Sequence, residues 1–393
     1  MSMTIGLAGK PNSGKSTFFK ASTLADVEIA NYPFTTIHPN KGVTYVRTKC
    51  PCTERDHRCG NCIEGVRYVP IELIDVAGLV PDAHMGKGLG NTFLDDLRQA
   101  QAIIHVIDAA GSTDIEGNPI EVGSHDPLED VNFLNHEITM WMVGILKRNW
   151  QKISRKIQGE NLKIERVLAE QLAGAGVEES QVIEALLMTK LDPIITKWSD
   201  EEIIHLCDKI RLISKPMIIA ANKADIAPIQ NLDKLKAIGG IVVPTSAAAE
   251  LVLRSASKSG AIKYDLGDSD FSIIAQNLSP VQQKALESIR SFLHKMHNTG
   301  IQDCINKAVF ELLDLIVVYP VEDEGKWTDK HGKMLPDAFL MKRGSSAHQL
   351  AYKVHSDIGD GFLYAVDAKT KMRLGEKHEL ANGSVVKIVS TAK

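Results

Sequence analysis

Cysteine is scarce in this sequence: six in 393 residues, too few for a disulfide scaffold in a chain of this length. A long apolar run is missing too. No stretch approaches the roughly 18 residues of a membrane-spanning helix, which argues against a membrane partner. The opening residues, MSMTIGLAG, lack the basic flank and extended apolar core of a secretory leader. Nor does one sign of charge dominate. Lys and Arg number 45 against 49 Asp and Glu, a net of −4. That total gives no pointer to nucleic acid or an acidic membrane, although it can conceal local patches. These absences lead to the expectation of a soluble, cytoplasmic protein. What is present is ordinary for a folded chain, with 44% hydrophobic and 24% charged residues. At about 100–200 residues per domain, the length suggests two or three domains.

Residues 4–9, TIGLAG, form a short β-prone run that leads into GKPNSGKS at 9–16. The pattern G-x-x-x-x-G-K-[ST] is met at every fixed position. Its glycines let backbone N–H groups turn inward around phosphate oxygens. Lys15 is expected to bring its cation to the β- and γ-phosphates, and Ser16 its hydroxyl to Mg2+. The following TFFKAS reads as a helix, which sets the phosphates at a helix N-terminus. The phosphate-binding set is therefore Lys10, Pro11, Asn12, Ser13, Gly14, Lys15, Ser16 and Thr17. A chance glycine-rich turn is the competing reading, and the strand before and helix after weigh against it.

Three further motifs follow in order. Asp75 and Gly78 form a D-x-x-G behind the β-branched stretch 69–75. An aspartate there holds Mg2+ through water, and the glycine N–H senses the γ-phosphate. Alone, such an acid-to-glycine turn is common at strand ends. Residues 222–225, NKAD, follow the apolar run 216–221. Asp225 is placed to accept from guanine N1–H and N2–H2, a donor pair that adenine lacks. Asn222 is expected to bind the base's other edge and tie the loop together, while the stem of Lys223 covers the ring. A polar left-handed turn would carry the same residue types. Ser246 and Ala247 then follow a strand-like IVVPT, with backbone placed for guanine O6. Between the first two motifs lies NYPFTT at 31–36, whose threonine is expected to bind Mg2+ and γ-phosphate together, coupling loop order to nucleotide state. The proline and aromatic equally suit a plain extended loop.

On these residues, together with GKGLGN at 86–91 and FLDDLR at 93–98, the sequence resembles the Obg-like, YchF-related GTPases of archaeal and fungal type. The resemblance implies a P-loop GTPase domain of α/β class and favours Thr36 over Thr35 as the Mg2+-sensing residue. Lys15, Thr36 and Gly78 become the catalytic set, and Ser16, Thr36 and Asp75 the Mg2+ set. Some YchF relatives have a degraded guanine motif and accept ATP; this chain keeps NKAD, so GTP and GDP are the expected ligands. Where many GTPases carry a water-orienting glutamine after D-x-x-G, this chain has Leu79, which cannot hydrogen-bond water. Intrinsic hydrolysis is expected to be slow without a partner. His84 lies nearby and receives no role. Asn12 matches an asparagine that some relatives use for K+.

Asn222 lies 147 positions after Asp75, more than two βα units need. Strand-like 102–108 belongs to the sheet. The excess falls at 125–215, where Phe133, Leu134, Ile138, Trp141, Met142, Ile145 and Leu146 recur at helical spacing, continued by Leu162, Ile164, Val167, Leu168 and Leu172. This predicts an inserted helical subdomain. Its segment 147–166 holds seven Lys and Arg against two Glu, an RNA-contact candidate or a solvated face. Ser279, Pro280 and Gly300 are expected to start and stop a helix over 281–298. The segment 337–389 resembles the TGS domain, an α+β β-grasp module associated with RNA or ribosome contact. The expected division is 1–124 and 216–313 for the GTPase domain, 125–215 for the insert and 314–393 for the TGS domain.

Cys50, Cys52, Cys59 and Cys62 lie within thirteen residues of each other, at a spacing that suits one tetrahedral Zn2+. Redox pairing is the open alternative; Cys207 and Cys304 stand alone as small buried residues. The expectation is a monomeric, Mg2+-dependent, slowly hydrolysing GTP switch acting on the ribosome or another structured RNA, not on DNA. A nucleotide-gated RNA-binding scaffold without significant hydrolysis, or an ATPase, are the alternatives.

Overall fold

The computed structural model describes residues 3–23, 40–76, 78 and 96–391. They fall into two compact units. One holds the N-terminal strand and helix, residues 40–42 and Glu72–Cys304; the other holds Val43–Ile71 and the chain from Ile305 onward. Thr36, Leu79 and His84, with the stretches 31–36 and 86–91, lie outside the described residues.

The first sheet contains β1 (Thr4–Ala8), β2 (Lys41–Lys49), β3 (Cys62–Ile63), β4 (Val66–Asp75), β5 (Ala102–Asp108), β6 (Met217–Asn222) and β7 (Val242–Pro244). In the first unit β4, β1, β5, β6 and β7 lie side by side and parallel, with Leu7 opposite Asp75, Ala8 opposite His105 and Asp108 opposite Asn222. β1 and β5 are buried along their whole length. That is why AIIHVID reads as an unbroken apolar run: helices cover both faces of a parallel sheet. The loop at 9–16, Asp75, NKAD and Ser246 each lie at the carboxyl end of one of these strands, where open α/β sheets form their crevices.

The inserted helices span Pro127–Lys147, Trp150–Glu160, Ile164–Leu172, Glu179–Thr189 and Asp200–Ser214. Asp126 caps the first, its side chain accepting from the Leu128 N–H, and Ser199 caps the last with a reciprocal bond from Glu202. Leu134, Ile138, Trp141, Met142 and Leu146 share one buried cluster with Ala8, Ile74 and Ile103 of the sheet. Leu162 is exposed, contrary to its place in the helical pattern, because Asn161 turns left-handed and ends the helix before it. In the basic stretch, Lys147 pairs with Asp200 at 2.7 Å and Arg166 with Glu170 at 3.1 Å. Arg148, Lys152, Arg155, Lys156 and Lys163 are exposed.

A small hairpin, β8 (Ile262–Lys263) and β9 (Ser272–Ile273), precedes the helix Pro280–Met296. Ser279 caps that helix as its sequence predicts, but His297 ends it in a left-handed conformation, before Gly300. Gly300 has another role. A Cβ there would sit 2.0 Å from the Pro244 carbonyl, so only glycine lets this turn approach the end of β7.

The second unit carries a five-stranded sheet of β10 (Leu315–Val321), β11 (Phe339–Lys342), β12 (Phe362–Asp367), β13 (Arg373–Leu374) and β14 (Val385–Ser390), in the order β11-β10-β14-β12-β13. β10 and β14 are parallel and the other pairs antiparallel. The helix Ala347–Val354 contributes Ala347 and Leu350 to a core with Ile316, Val318, Ala365 and Val386. Residues 43–71, which the sequence reading places in the GTPase domain, cluster with this sheet. Arg67 donates to the Pro336 carbonyl at 3.0 Å, the Asn61 amide to the Leu335 carbonyl at 3.3 Å, and Lys369 to Glu54 at 2.8 Å. Cys207 and Cys304 are fully buried. Among the described residues no helix is long and apolar enough to cross a membrane.

His105, in the middle of the first sheet, has its pKa lowered to about 3 because burial disfavours the imidazolium. The unfolded chain takes up that proton below its ordinary value of about 6.5, whereas the folded chain does not. The stability tied to His105 is therefore present above that value and lost as pH falls. We expect it to account for about 2 kcal/mol of the loss between pH 6.5 and pH 5. Urea unfolding of wild type and His105→Leu across that range checks this, since the variant should lose that much less. Parallel pH slopes would exclude His105 as the cause.

Candidate functional site

The loop after β1 is shaped by two close approaches. A Cβ at Gly9 would lie 2.4 Å from the Val106 carbonyl, and one at Gly14 would lie 2.1 Å from the Asn222 amide nitrogen. Gly14 also has φ +94°, which favours glycine, and Asn12 takes φ 59°. The Phe18 N–H then bonds to the Gly14 carbonyl, and the helix Lys15–Thr23 begins with Lys15 and Ser16 in its first turn. Lys15 forms an ion pair with Asp75, at the end of β4, and Ser16 Oγ lies 3.4 Å from the other Asp75 oxygen. A hydroxyl and a carboxylate side by side are the hard oxygen donors that suit Mg2+. Gly78 is exposed and stands beside Pro11.

The remaining loop side chains turn toward the protein. Lys10 is buried, with Nζ 2.9 Å from the Thr113 carbonyl and 3.0 Å from Asp130. Asp130 also bonds to His125 Nε2 at 2.8 Å, and burial raises its pKa against the lowering effect of Lys10. Asn12 donates its amide to the Gly117 carbonyl at 2.9 Å. Ser13 is buried and offers its carbonyl to Asn222; Thr17 is half-buried.

On the next strands, the Asn222 carboxamide joins three loops. Its nitrogen donates to the Ser13 carbonyl at 2.9 Å; its oxygen accepts from the Ala247 N–H at 3.0 Å and the Thr245 hydroxyl at 3.4 Å. The expected loop-tying role is thus the one its geometry carries, and both ends of the amide are occupied by the protein. Lys223, at φ 60°, places Nζ 2.9 Å from Asp108. Asp225 is exposed, and among the described residues its carboxylate makes no hydrogen bond. The Ser246 N–H donates to the Thr299 carbonyl, and the Ser246 hydroxyl accepts from the Ala249 N–H at 3.3 Å. The N–H groups of Ser246 and Ala247 are therefore taken by Thr299 and Asn222.

Asp108 was given no role by the sequence reading. Fully buried at the end of β5, it accepts from the Ala110 and Ser112 N–H groups, the Ser112 and Thr113 hydroxyls and Lys223. Burial pushes its pKa up, and the bonds from Lys223, Thr113 and Ser112 outweigh that, so it lies below the ordinary carboxylate value. The only hint in the sequence is an acid-to-glycine turn, DAAG at 108–111, behind an apolar strand. In the second unit, Cys50, Cys52, Cys59 and Cys62 gather with all four sulfurs within 4.8 Å of one another.

Asp108→Asn keeps the shape and removes the charge opposite Lys223. It is expected to cost about 2–3 kcal/mol in urea unfolding. A change below about 0.5 kcal/mol would assign the turn to its neutral hydrogen bonds instead.

Comparison with known proteins adds independent findings. The model of the Obg-like GTPase YGR210-like, G4 motif-containing domain matches residues 220–323, that of the 50S ribosome-binding GTPase residues 4–140, and that of the TGS domain residues 328–390. The chain is 52% identical over 397 residues to an uncharacterized GTP-binding protein of Methanocaldococcus jannaschii, with 99% of each chain covered. It is 36% identical over 371 residues to one of Schizosaccharomyces pombe, covering 89% of each. The crystal structure of a GTP binding protein from Pyrococcus horikoshii OT3 superposes with a TM-score of 0.79 at 42% identity, covering 99% of this chain and 100% of that one.

Proposed function

The chain belongs to the Obg-like, YchF-related GTP-binding proteins with a C-terminal TGS domain, and from that premise we propose a Mg2+-dependent GTP switch with slow intrinsic hydrolysis that works on the ribosome or another structured RNA. The observation that carries the reading is that the carboxyl end of one sheet holds both a Lys15–Ser16–Asp75 cluster and an exposed Asp225 that makes no hydrogen bond among the described residues.

Each residue then has a task. The backbone N–H groups of residues 12–17 are the ones that surround the α- and β-phosphates. With phosphate bound, Lys15 would exchange its Asp75 partner for β- and γ-phosphate oxygens, and Ser16, Thr36 and Asp75 are the residues that would hold Mg2+. Mg2+, when bound, neutralises charge on the phosphates. Gly78 offers its N–H to the γ-phosphate. Asp225 accepts from guanine N1–H and N2–H2, while Asn222, Ser246 and Ala247 hold the loops that frame the base and Lys223 lies along it. Leu79 cannot orient an attacking water, hence slow hydrolysis.

The partner rests on charge. Lys152, Arg155 and Lys156 lie on the exposed side of the helix Trp150–Glu160, opposite buried Ile153 and Ile157, with Arg148 and Lys163 at its ends. Such a stripe suits a phosphate backbone, and the family model over residues 4–140 carries the description of a ribosome-binding GTPase. A nucleotide-gated scaffold is the second reading, favoured by Leu79. The NKAD motif at 222–225 argues against an ATPase.

Asp225→Asn should weaken GTP binding by about a hundredfold and recover affinity for xanthosine triphosphate, as read by competition with a labelled nucleotide. Unchanged GTP affinity would remove Asp225 from base recognition, and equal competition by ATP would favour the ATPase. Ribosome cosedimentation with a non-hydrolysable GTP analogue should fall at least about tenfold when Lys152, Arg155 and Lys156 are all changed to Glu. Cosedimentation indifferent to that change sinks the charged-helix contact. Single-turnover hydrolysis that ribosomes do not accelerate favours the scaffold.

A further inference from the structure

The four clustered cysteines belong to no part of the nucleotide site. They sit on two facing turns. Cys50 and Cys52 flank Pro51, where a short 3-10 turn begins, and the Cys50 N–H bonds to the Gly65 carbonyl at 2.8 Å. Cys59 and Cys62 bracket Gly60 and Asn61, with Gly60 at φ +73° making the turn, and Cys62 begins the β3–β4 hairpin opposite Arg67.

The spacing of the sulfurs discriminates between their fates. Cys50 and Cys59 Sγ atoms are 3.7 Å apart, and those of Cys52 and Cys62 are 3.4 Å apart. A disulfide needs about 2.05 Å. Four thiolates bound to one ion at about 2.3 Å lie about 3.8 Å from each other, the edge of a tetrahedron. All four cysteines are free, and the Asn61 N–H already points at Cys59 Sγ from 3.4 Å, the kind of hydrogen bond a ligating thiolate accepts.

A second observation is independent of the sulfurs. Arg67 is only 4% exposed, yet its guanidinium donates to two carbonyl oxygens, Asn61 at 3.2 Å and Pro336 at 3.0 Å, and to no carboxylate among the described residues. A buried cation of this kind calls for a counter-charge. The Tyr319 ring lies 5.9 Å from that guanidinium. Its hydroxyl is buried with no hydrogen-bond partner among the described residues. Four neutral thiols balance nothing. Four thiolates around a divalent ion carry a net charge of −2, which supplies the counter-charge for Arg67, the residue opposite Cys62 in the hairpin.

We propose that Cys50, Cys52, Cys59 and Cys62 hold one structural Zn2+, with Arg67 as the buried cation that balances its charge. Binding releases the thiol protons to solvent and leaves no open coordination position, so the ion is a fastening rather than a reaction centre. What it fastens is the hairpin against residues 323–336. Asn61 donates to the Met334 and Leu335 carbonyls, Arg67 to Pro336, and Arg55 stacks 4.4 Å over the Trp327 ring.

The test uses the full chain purified without chelator. Elemental analysis should find about one zinc per chain, lost in Cys59→Ser and Cys62→Ser. Cobalt in place of zinc should give the intense visible bands and thiolate charge-transfer band of a tetrahedral four-sulfur site, a readout that needs no variant to fold. Arg67→Met should keep that spectrum but weaken zinc about 10–100-fold against a chromophoric chelator. Stripping the metal should speed trypsin cleavage after Arg55 and Arg58. Metal-free protein with four reduced thiols, a mass showing paired disulfides, or iron as the bound metal would each overturn the proposal. Unchanged zinc affinity in Arg67→Met would overturn the charge-balancing role.

Discussion

The Asn222 carboxamide is buried with its nitrogen on the Ser13 carbonyl and its oxygen on the Ala247 N–H, so three loops must close on one side chain at once. Much follows from that closure. Residue 14 has no room for a Cβ, because the amide nitrogen fills the space where one would stand. Lys223 is turned into a left-handed conformation that sends its ammonium to Asp108, and Asp225 is left facing outward. Since both ends of the amide are satisfied, its burial carries no penalty for an orphaned polar group. Asp108, opposite Asn222 in the register of β5 and β6, does the same for its own loop with five hydrogen-bond donors. Two neighbouring strand ends thus anchor the crevice before any ligand enters it.

Charge burial separates the two sites. In the first unit each buried or half-buried lysine near the crevice has an acid in reach: Lys10 has Asp130, Lys15 has Asp75 and Lys223 has Asp108. These pairs position loops, and Lys15 can trade its partner for phosphate because both are oxyanions. Arg67, in the second unit, meets only carbonyl oxygens among the described residues. It stands opposite Cys62 in the hairpin, so the proposed thiolate cluster is the group that would balance it. β4 carries both features, Arg67 near its start and Asp75 at its end.

Much of the fold was legible in the order of residues. The apolar runs of β1, β5 and β6 are strands because a parallel sheet covered on both faces demands continuous burial. Leu134, Ile138 and Trp141 fall on one helical face because the period of 3.6 repeats it. Local reasoning failed where partners lie far apart in sequence. His297 rather than Gly300 ends its helix, since Gly300 is reserved for the approach to Pro244. Residues 43–71 cluster with the C-terminal sheet through hydrogen bonds that no periodicity announces.

The sequence by itself determined the chemistry on offer: a glycine loop with Lys15 and Ser16, an aspartate behind a strand, NKAD, and two close pairs of cysteines. Those signals are short, and their spacing survives without knowledge of the fold. Only the tertiary structure decided how each side chain is spent. It turned Asn222 inward, made Asp108 a hub, gave Lys10 to Asp130, and brought four sulfurs within 4.8 Å beside a buried arginine. The reason is physical. Buried polar groups must find partners, and those of Lys10, Asn222 and Arg67 include groups 103, 209 and 269 residues away in the chain.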